Sequence, residues 1–291
     1  MIESLEARPV PAPYRLMGVL NVTPDSFSDG GRFLAPQAAV AHGLELVAQG
    51  AEIIDVGGES TRPGAEPVGR SEEIARVEPV LAGLAAAGSG AQLSIDTSKV
   101  GVAEVAIAAG ATLVNDVTAF RAEPEMAALV ADRGVDCCLM HMLGEPRTMQ
   151  DDPRYDDVVA DVKAFLEERL RFAVSEGIPE ARIMLDPGIG FGKTVAHNLE
   201  LLARLDELCS LGRPLVIGTS RKGFLGRIAP SAPGPEERLP GTIATNVLAL
   251  ERGASVFRVH DVAPVRDALA TAAATLHGPW AGLSRETTAT S

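Results

Sequence analysis

Short apolar runs alternate with longer amphipathic ones along almost the whole chain. The apolar runs fall at residues 16–21, 52–56, 93–96, 113–116, 137–141, 183–186, 215–218 and 256–260, each about the length of one buried strand. Helical patterns lie between them at 38–49, 72–86, 102–109, 156–177 and 243–252. The clearest is 156–177, where Val158, Val162, Phe165, Leu166, Leu170 and Ala173 recur on one face. Gly50, Gly110, Gly134 and Gly253 stand where a helical pattern gives way to the next apolar run. Glycine ends helices there because it enters the left-handed region without a Cβ penalty. Eight such units in about 250 residues predict α/β architecture, a single (β/α)8 TIM barrel over residues 15–277. A doubly wound open sheet is the alternative, since alternation alone does not show closure. Residues 1–14 are expected to form a flexible extension, 278–291 a flexible tail, and 229–240 a poorly structured loop.

The polar residues break this pattern in one consistent place. Asn21, Asp55, Asp96, Asn115, His141, Asp186 and the pair Arg258/His260 sit at the C-ends of their apolar runs. One such Asp alone reads best as a cap. So many together do not, because in a barrel the strand C-ends converge on the face that carries active sites. That mouth is expected to hold carboxylates, carboxamides and the cations Lys222, Arg258 and His260. Two connections, from Asn21 to Gly31 and from Glu59 to Gly64, are rich in Gly, Pro, Ser, Thr and Asp. Connections of that kind can close over a substrate and exclude water.

Composition narrows the class. Of 291 residues 46% are hydrophobic, enough for a sizeable core, and 4% are aromatic, too few for a nucleic-acid stacking platform. The net charge of −13 repels nucleic acid and anionic membrane surfaces, so a phosphorylated substrate needs local cations, dipoles or a metal. Cys137, Cys138 and Cys209 form neither a disulfide framework nor a spaced zinc motif, which points to a cytoplasmic setting. No apolar run is long enough to span a bilayer, and no signal peptide is legible. The stretch from Asp186 to Thr194 mimics a phosphate-binding P-loop, but Pro187 occupies the position of its first glycine. Its glycines are better explained by a sharp turn beside a flat ligand.

Taken in order, the motifs Asn21–Gly31, Glu59–Gly64, Asp96-Thr97-Ser98, Asn115-Asp116, Met140-His141-Met142, Asp186–Phe191, Ser220-Arg221-Lys222 and Arg258–Asp261 resemble the signatures of dihydropteroate synthases. The resemblance runs from about Leu16 to Leu276. It implies that the amine of 4-aminobenzoate displaces diphosphate from a 7,8-dihydropterin, with magnesium helping the leaving group. It also implies a homodimer.

Site roles follow from the same resemblance. Asp96, Asn115, Asp186 and Lys222 match pterin-binding positions. Arg258 matches a residue that stacks on the pterin and reaches the diphosphate, with Thr61 and His260 beside the diphosphate and Asn21 on the metal. Phe27, Pro63, Phe191 and Gly223 match positions around 4-aminobenzoate. Phe27, Asp29, Thr61, Arg62 and Lys222 match the positions expected to act in catalysis. Gly223 stands where the family usually has Ser or Arg, and Leu143 where it often has Gln. A pterin-binding methyltransferase domain would share the Asp and Asn positions but would not need Arg258, His260 or the segment from Phe27 to Asp29. A non-catalytic homologue would have lost residues from the two connecting loops, and both look intact.

Overall fold

A computed structural model of the chain describes residues 14–23, 35–60, 65–145, 147–229, 231–232 and 234–277. Its eight strands are β1 (Arg15–Asn21), β2 (Ile53–Gly57), β3 (Gln92–Asp96), β4 (Leu113–Asp116), β5 (Asp136–Met140), β6 (Ile183–Asp186), β7 (Val216–Ile217) and β8 (Val256–Val259). All pairings are parallel, in the order β6-β5-β4-β3-β2-β1-β8-β7. The two edges meet through a parallel bridge between Leu185 and Leu215, with Leu185 N–H donating to the Pro214 carbonyl at 3.0 Å. That bridge closes the barrel and removes the open-sheet alternative.

The helices are α1 (Ala35–Ala48), α2 (Arg70–Ala86), α3 (Val100–Ala108), α4 (Glu125–Arg133), α5 (Val158–Ser175), α6 (Val195–Ala203), α7 (Leu205–Cys209), α8 (Gly223–Ile228), α9 (Leu239–Glu251) and α10 (Val262–His277). The long α5 starts where the Asp157 carboxylate accepts from the N–H groups of Val159 and Ala160, satisfying donors that the helix itself cannot. Gly134 ends α4 at φ 61°, in the left-handed conformation expected of it. Helices α7 and α8, of five and six residues, are too short to display a helical period in the sequence. Among the described residues of 229–240, a 3-10 turn spans Glu236–Arg238 and α9 begins at Leu239, so the C-terminal part of that stretch is more regular than expected. Pro240 is compatible with that start because the first helical turn needs no donor from it.

The strands bury both faces. Outward residues such as Ile54, Val56, Ile95, Leu139 and Phe257 join the layer under the helices. Inward, Met17, Ile53, Leu113, Cys138, Met184, Val216 and Val256 form a separate plug across the barrel interior. Side chains alternate along a strand, so the residue two positions beyond each plug member faces the same interior, one step closer to the mouth. Those residues are Val19, Asp55, Asn115, Met140, Asp186, Gly218 and Arg258. Four of these seven, Asp55, Asn115, Asp186 and Arg258, are polar or charged, so strand alternation places a polar layer above an apolar plug.

Candidate active site

Four charged or amide groups meet just above the plug. Arg258 Nε donates to Asp55 Oδ2 and Arg258 Nη2 to Asp96 Oδ2, both at 2.7 Å. Asp55 is fully buried and also accepts from Ser94 Oγ at 2.5 Å and Asn115 Nδ2 at 3.0 Å. Removing a carboxylate from water costs several kcal/mol unless such partners offset it. Asp55 was legible only as one more polar strand end; here it is the hub that ties β2, β3, β4 and β8 together.

Asp96 is less well compensated. Burial, with Asp55, Glu73 and Asp116 nearby, outweighs the Arg258 guanidinium and pushes its carboxyl up to about 7. Desolvation likewise raises Asp186, against the opposing charges of Lys222 and the N–H of Gly188. Lys222 is lowered to about 8 by burial, with the Asp186 charge acting the other way. Asp186 and Lys222 are not in direct contact. Asp186 Oδ1 accepts from Gly188 N at 2.7 Å, while Lys222 Nζ donates to the Ile189 carbonyl and lies 4.6 Å from the centre of the Phe191 ring. The lysine holds the loop after β6 rather than the strand's carboxylate. A Cβ on Gly218 would lie 3.7 Å from Lys222 Nζ and 3.9 Å from Arg258 Cβ, so the two cations share one wall of the mouth.

The rim completes the site. His260 Nδ1 lies 3.0 Å from Ser220 Oγ, which also accepts from His260 N–H at 3.2 Å. Arg221, at φ 59°, grips Asp261 through two hydrogen bonds of 3.0 and 2.6 Å, joining the loop after β7 to the end of β8. Helix α10 starts at Val262, immediately beyond. Gly223 opens α8 next to Lys222, and a Cβ added there would meet nothing within 4 Å. Leu143, the other departure, is exposed.

The structure therefore brings together Asn21, Asp96, Asn115, Asp186, Lys222, Arg258, His260 and Phe191 at one end of the barrel. His141 is not part of the mouth. Strand β5 stops at Met140, and the His141 ring packs edge-on against Phe165 at 4.8 Å and faces Lys193. Asp116 likewise points away, accepting from Thr118 and Phe120. Phe27, Asp29, Thr61, Arg62 and Pro63 lie outside the described residues. The Asp186–Thr194 stretch is no P-loop here. Gly188, Gly190 and Gly192 take positive φ values of 66°, 86° and 62°, and Lys193 turns inward and is 3% exposed.

Among the described residues no three His, Cys, Asp or Glu side chains cluster as a metal cage. The oxygen of Asn21 does face the mouth: a Cβ on Gly57 would lie 3.8 Å from Asn21 Oδ1 and 3.7 Å from Asp96 Oδ2. Hard oxygen donors in small number suit magnesium, which keeps several waters and is commonly shared with substrate phosphates.

A closed parallel barrel with an acceptor-rich floor and two cations on one wall defines a barrel enzyme acting on a polar, anionic small molecule. The family model for pterin binding enzymes matches residues 17–260. The dihydropteroate synthase of Mycobacterium leprae is 48% identical over 274 residues, covering 92% of this chain and 96% of that protein. The Xanthomonas albilineans dihydropteroate synthase structure with 4-aminobenzoic acid superposes with a TM-score of 0.85 at 48% identity, covering 94% of this chain and 95% of that one. The structure of that organism's enzyme in complex with 7,8-dihydropteroate gives 0.82 at 44% identity, with 95% and 96% covered. The chain belongs to the pterin binding enzyme family, and within it to the dihydropteroate synthases. Its function is the transfer of the (7,8-dihydropterin-6-yl)methyl group from diphosphate to the amine of 4-aminobenzoate, giving 7,8-dihydropteroate and diphosphate in folate biosynthesis. Among the described residues no helix is long and apolar enough to cross a membrane.

Proposed function

We propose that the mouth divides the dihydropteroate synthase reaction between a pterin floor and a diphosphate rim. The observation that carries this reading is the convergence of Asp96, Asn115 and Asp186 with the cations Lys222 and Arg258 above one apolar plug, Arg258 bonded directly to Asp96. Carboxylates and a carboxamide oxygen accept the N–H groups of an aminopyrimidinone edge, and a buried donor-rich ligand demands such partners. Lys222 supplies a donor to the ring once it leaves the Ile189 carbonyl. The planar Arg258 suits both stacking on the pterin and pairing with phosphate oxygens. His260, Thr61 and the N-terminal end of α10 hold the diphosphate, since a helix start adds oriented N–H donors.

Asn21 and the diphosphate oxygens would hold magnesium, which supplies positive charge to the departing diphosphate when bound. Phe191, Phe27, Pro63 and the open surface at Gly223 frame 4-aminobenzoate. Asp29, with Thr61 and Arg62, acts as bond breaking leaves a developing pterin cation, for which a nearby carboxylate is electrostatically favourable. The same reading includes a homodimer, for which α9 and α10, with Leu248 and Leu276 exposed, offer apolar surface. The buried thiols of Cys137 and Cys138 fit a reducing cytoplasm.

The division is tested by comparing the pterin diphosphate with the pterin alcohol in calorimetry. His260→Ala should erase most of the affinity that the diphosphate adds, whereas Asp186→Asn should weaken both ligands alike. If His260→Ala weakens the two equally, the histidine does not serve the diphosphate.

A further inference from the structure

One buried cation has no place in that scheme. Lys193 Nζ donates to the carbonyls of Gly188 and Phe191, each at 3.0 Å, and lies 2.8 Å from His141 Nδ1. Burying an amine among apolar groups is costly, and these three acceptors offset it. Burial lowers its pKa well below the usual lysine value. The two carbonyls are the ends of one turn, itself closed by Phe191 N–H donating to Gly188 O at 3.0 Å. The ammonium group therefore clasps both ends of the turn, and His141 anchors the clasp to the barrel. The histidine's ring is packed against Phe165, and its backbone N–H donates to the Asp186 backbone carbonyl at 2.9 Å.

The rest of the turn is held just as fully. The Ile189 carbonyl accepts from Lys222, the Gly190 carbonyl from Gln150 Nε2 at 2.7 Å, and the Gly192 carbonyl from Tyr155 OH at 2.8 Å. Every carbonyl from residue 188 to 192 thus has a side-chain donor. What projects from the turn is the half-buried Phe191 ring, resting on Val117, Met140, Met142 and Met149 beside Lys222.

We propose that Lys193, with His141 as its acceptor, is a positioning residue for the second substrate. It sets the place of the Phe191 ring, and through it 4-aminobenzoate recognition, without touching either substrate. This rests on the reading of Phe191 as a wall of that pocket. The experiment is steady-state kinetics and pterin calorimetry on Lys193→Met, His141→Leu, His141→Asn and Phe191→Ala, each with a thermal melt.

Lys193→Met should raise the KM for 4-aminobenzoate about tenfold while pterin diphosphate affinity changes by less than about threefold, the scale of one or two lost hydrogen bonds. His141→Leu should do the same. His141→Asn, whose amide oxygen can stand where Nδ1 stood, should recover most of the loss. If Phe191→Ala raises that KM but a folded Lys193→Met does not, the clasp is overturned while the reading of the pocket stands. If Phe191→Ala leaves the KM unchanged, the pocket reading fails and the proposal with it. Equal losses for both substrates in Lys193→Met would mark general loosening and also overturn it. Should Lys193→Met fail to fold, equal KM values in the two His141 variants would do the same.

Discussion

Arg258 Nε donates to Asp55 Oδ2 at 2.7 Å across 203 residues of chain, so the last strand is locked to the second at the level of the site. Arg258 is half-buried and Asp55 wholly so. Asp55→Asn should cost about 2–3 kcal/mol of folding stability, the scale of a lost hydrogen bond to a charged group. It should also weaken pterin diphosphate binding, because Arg258 would be held by Asp96 alone. Urea denaturation and calorimetry check both effects. A variant as stable as the parent would show that the pair contributes nothing net.

Asp186→Asn tests the floor. Gly188 N–H already occupies Asp186 Oδ1, so an asparagine would keep its oxygen there and turn its NH2 toward the ligand's own donors. A charge-assisted bond lost and a donor clash gained should cost about 2–4 kcal/mol of pterin affinity, on the order of a hundredfold. Unchanged affinity in a folded variant would remove Asp186 from the site.

Pterin affinity should also depend on pH. Asp96 must be ionised to accept from the ligand, and its carboxyl sits at about 7 in the folded empty protein. Affinity should therefore fall as pH drops below 7, by up to about tenfold per unit, with the raised Asp186 adding to the loss. Lys222 must be charged, and at about 8 it loses its proton as pH rises further. The expected optimum lies between these values.

Stability of the empty protein follows the same groups. The Asp96 contribution is complete below its unfolded value of 3.8 and is lost as pH rises through about 7. That of Lys222 is complete above 10.5 and is lost as pH falls through about 8. Calorimetric titrations from pH 5.5 to 9, with Asp96→Asn shrinking the acid limb, check the account. A flat profile contradicts it.

Phe27→Ala or Asp29→Ala should impair turnover while leaving pterin affinity nearly intact, since the resemblance assigns both to steps after pterin binding. Single-turnover kinetics with calorimetry separates the two quantities. Loss of pterin binding in either variant would reassign that residue.

Much of this site is legible in the sequence, for a physical reason. Asn115, Asp186 and Arg258 each stand two residues beyond an apolar plug residue, so strand alternation alone aims them into the barrel. Asp55 obeys the same rule, but its hub role could not be read, because its partners Ser94, Asn115 and Arg258 are 39, 60 and 203 residues away. Closure was also out of reach, since it rests on a single bridge at Leu185 and Leu215. The inward turn of Lys193 depends on positive φ at three successive alternate glycines, a backbone path that spacing does not reveal. His141 misled because the strand ends one residue before it.

Diphosphate release from the dihydropterin diphosphate, measured with and without 4-aminobenzoate and magnesium, tests the assigned reaction. Release should require all three, stop on adding EDTA, resume with excess magnesium, and match a product of the mass of 7,8-dihydropteroate one for one. No release from the complete mixture, or release indifferent to 4-aminobenzoate, would contradict it.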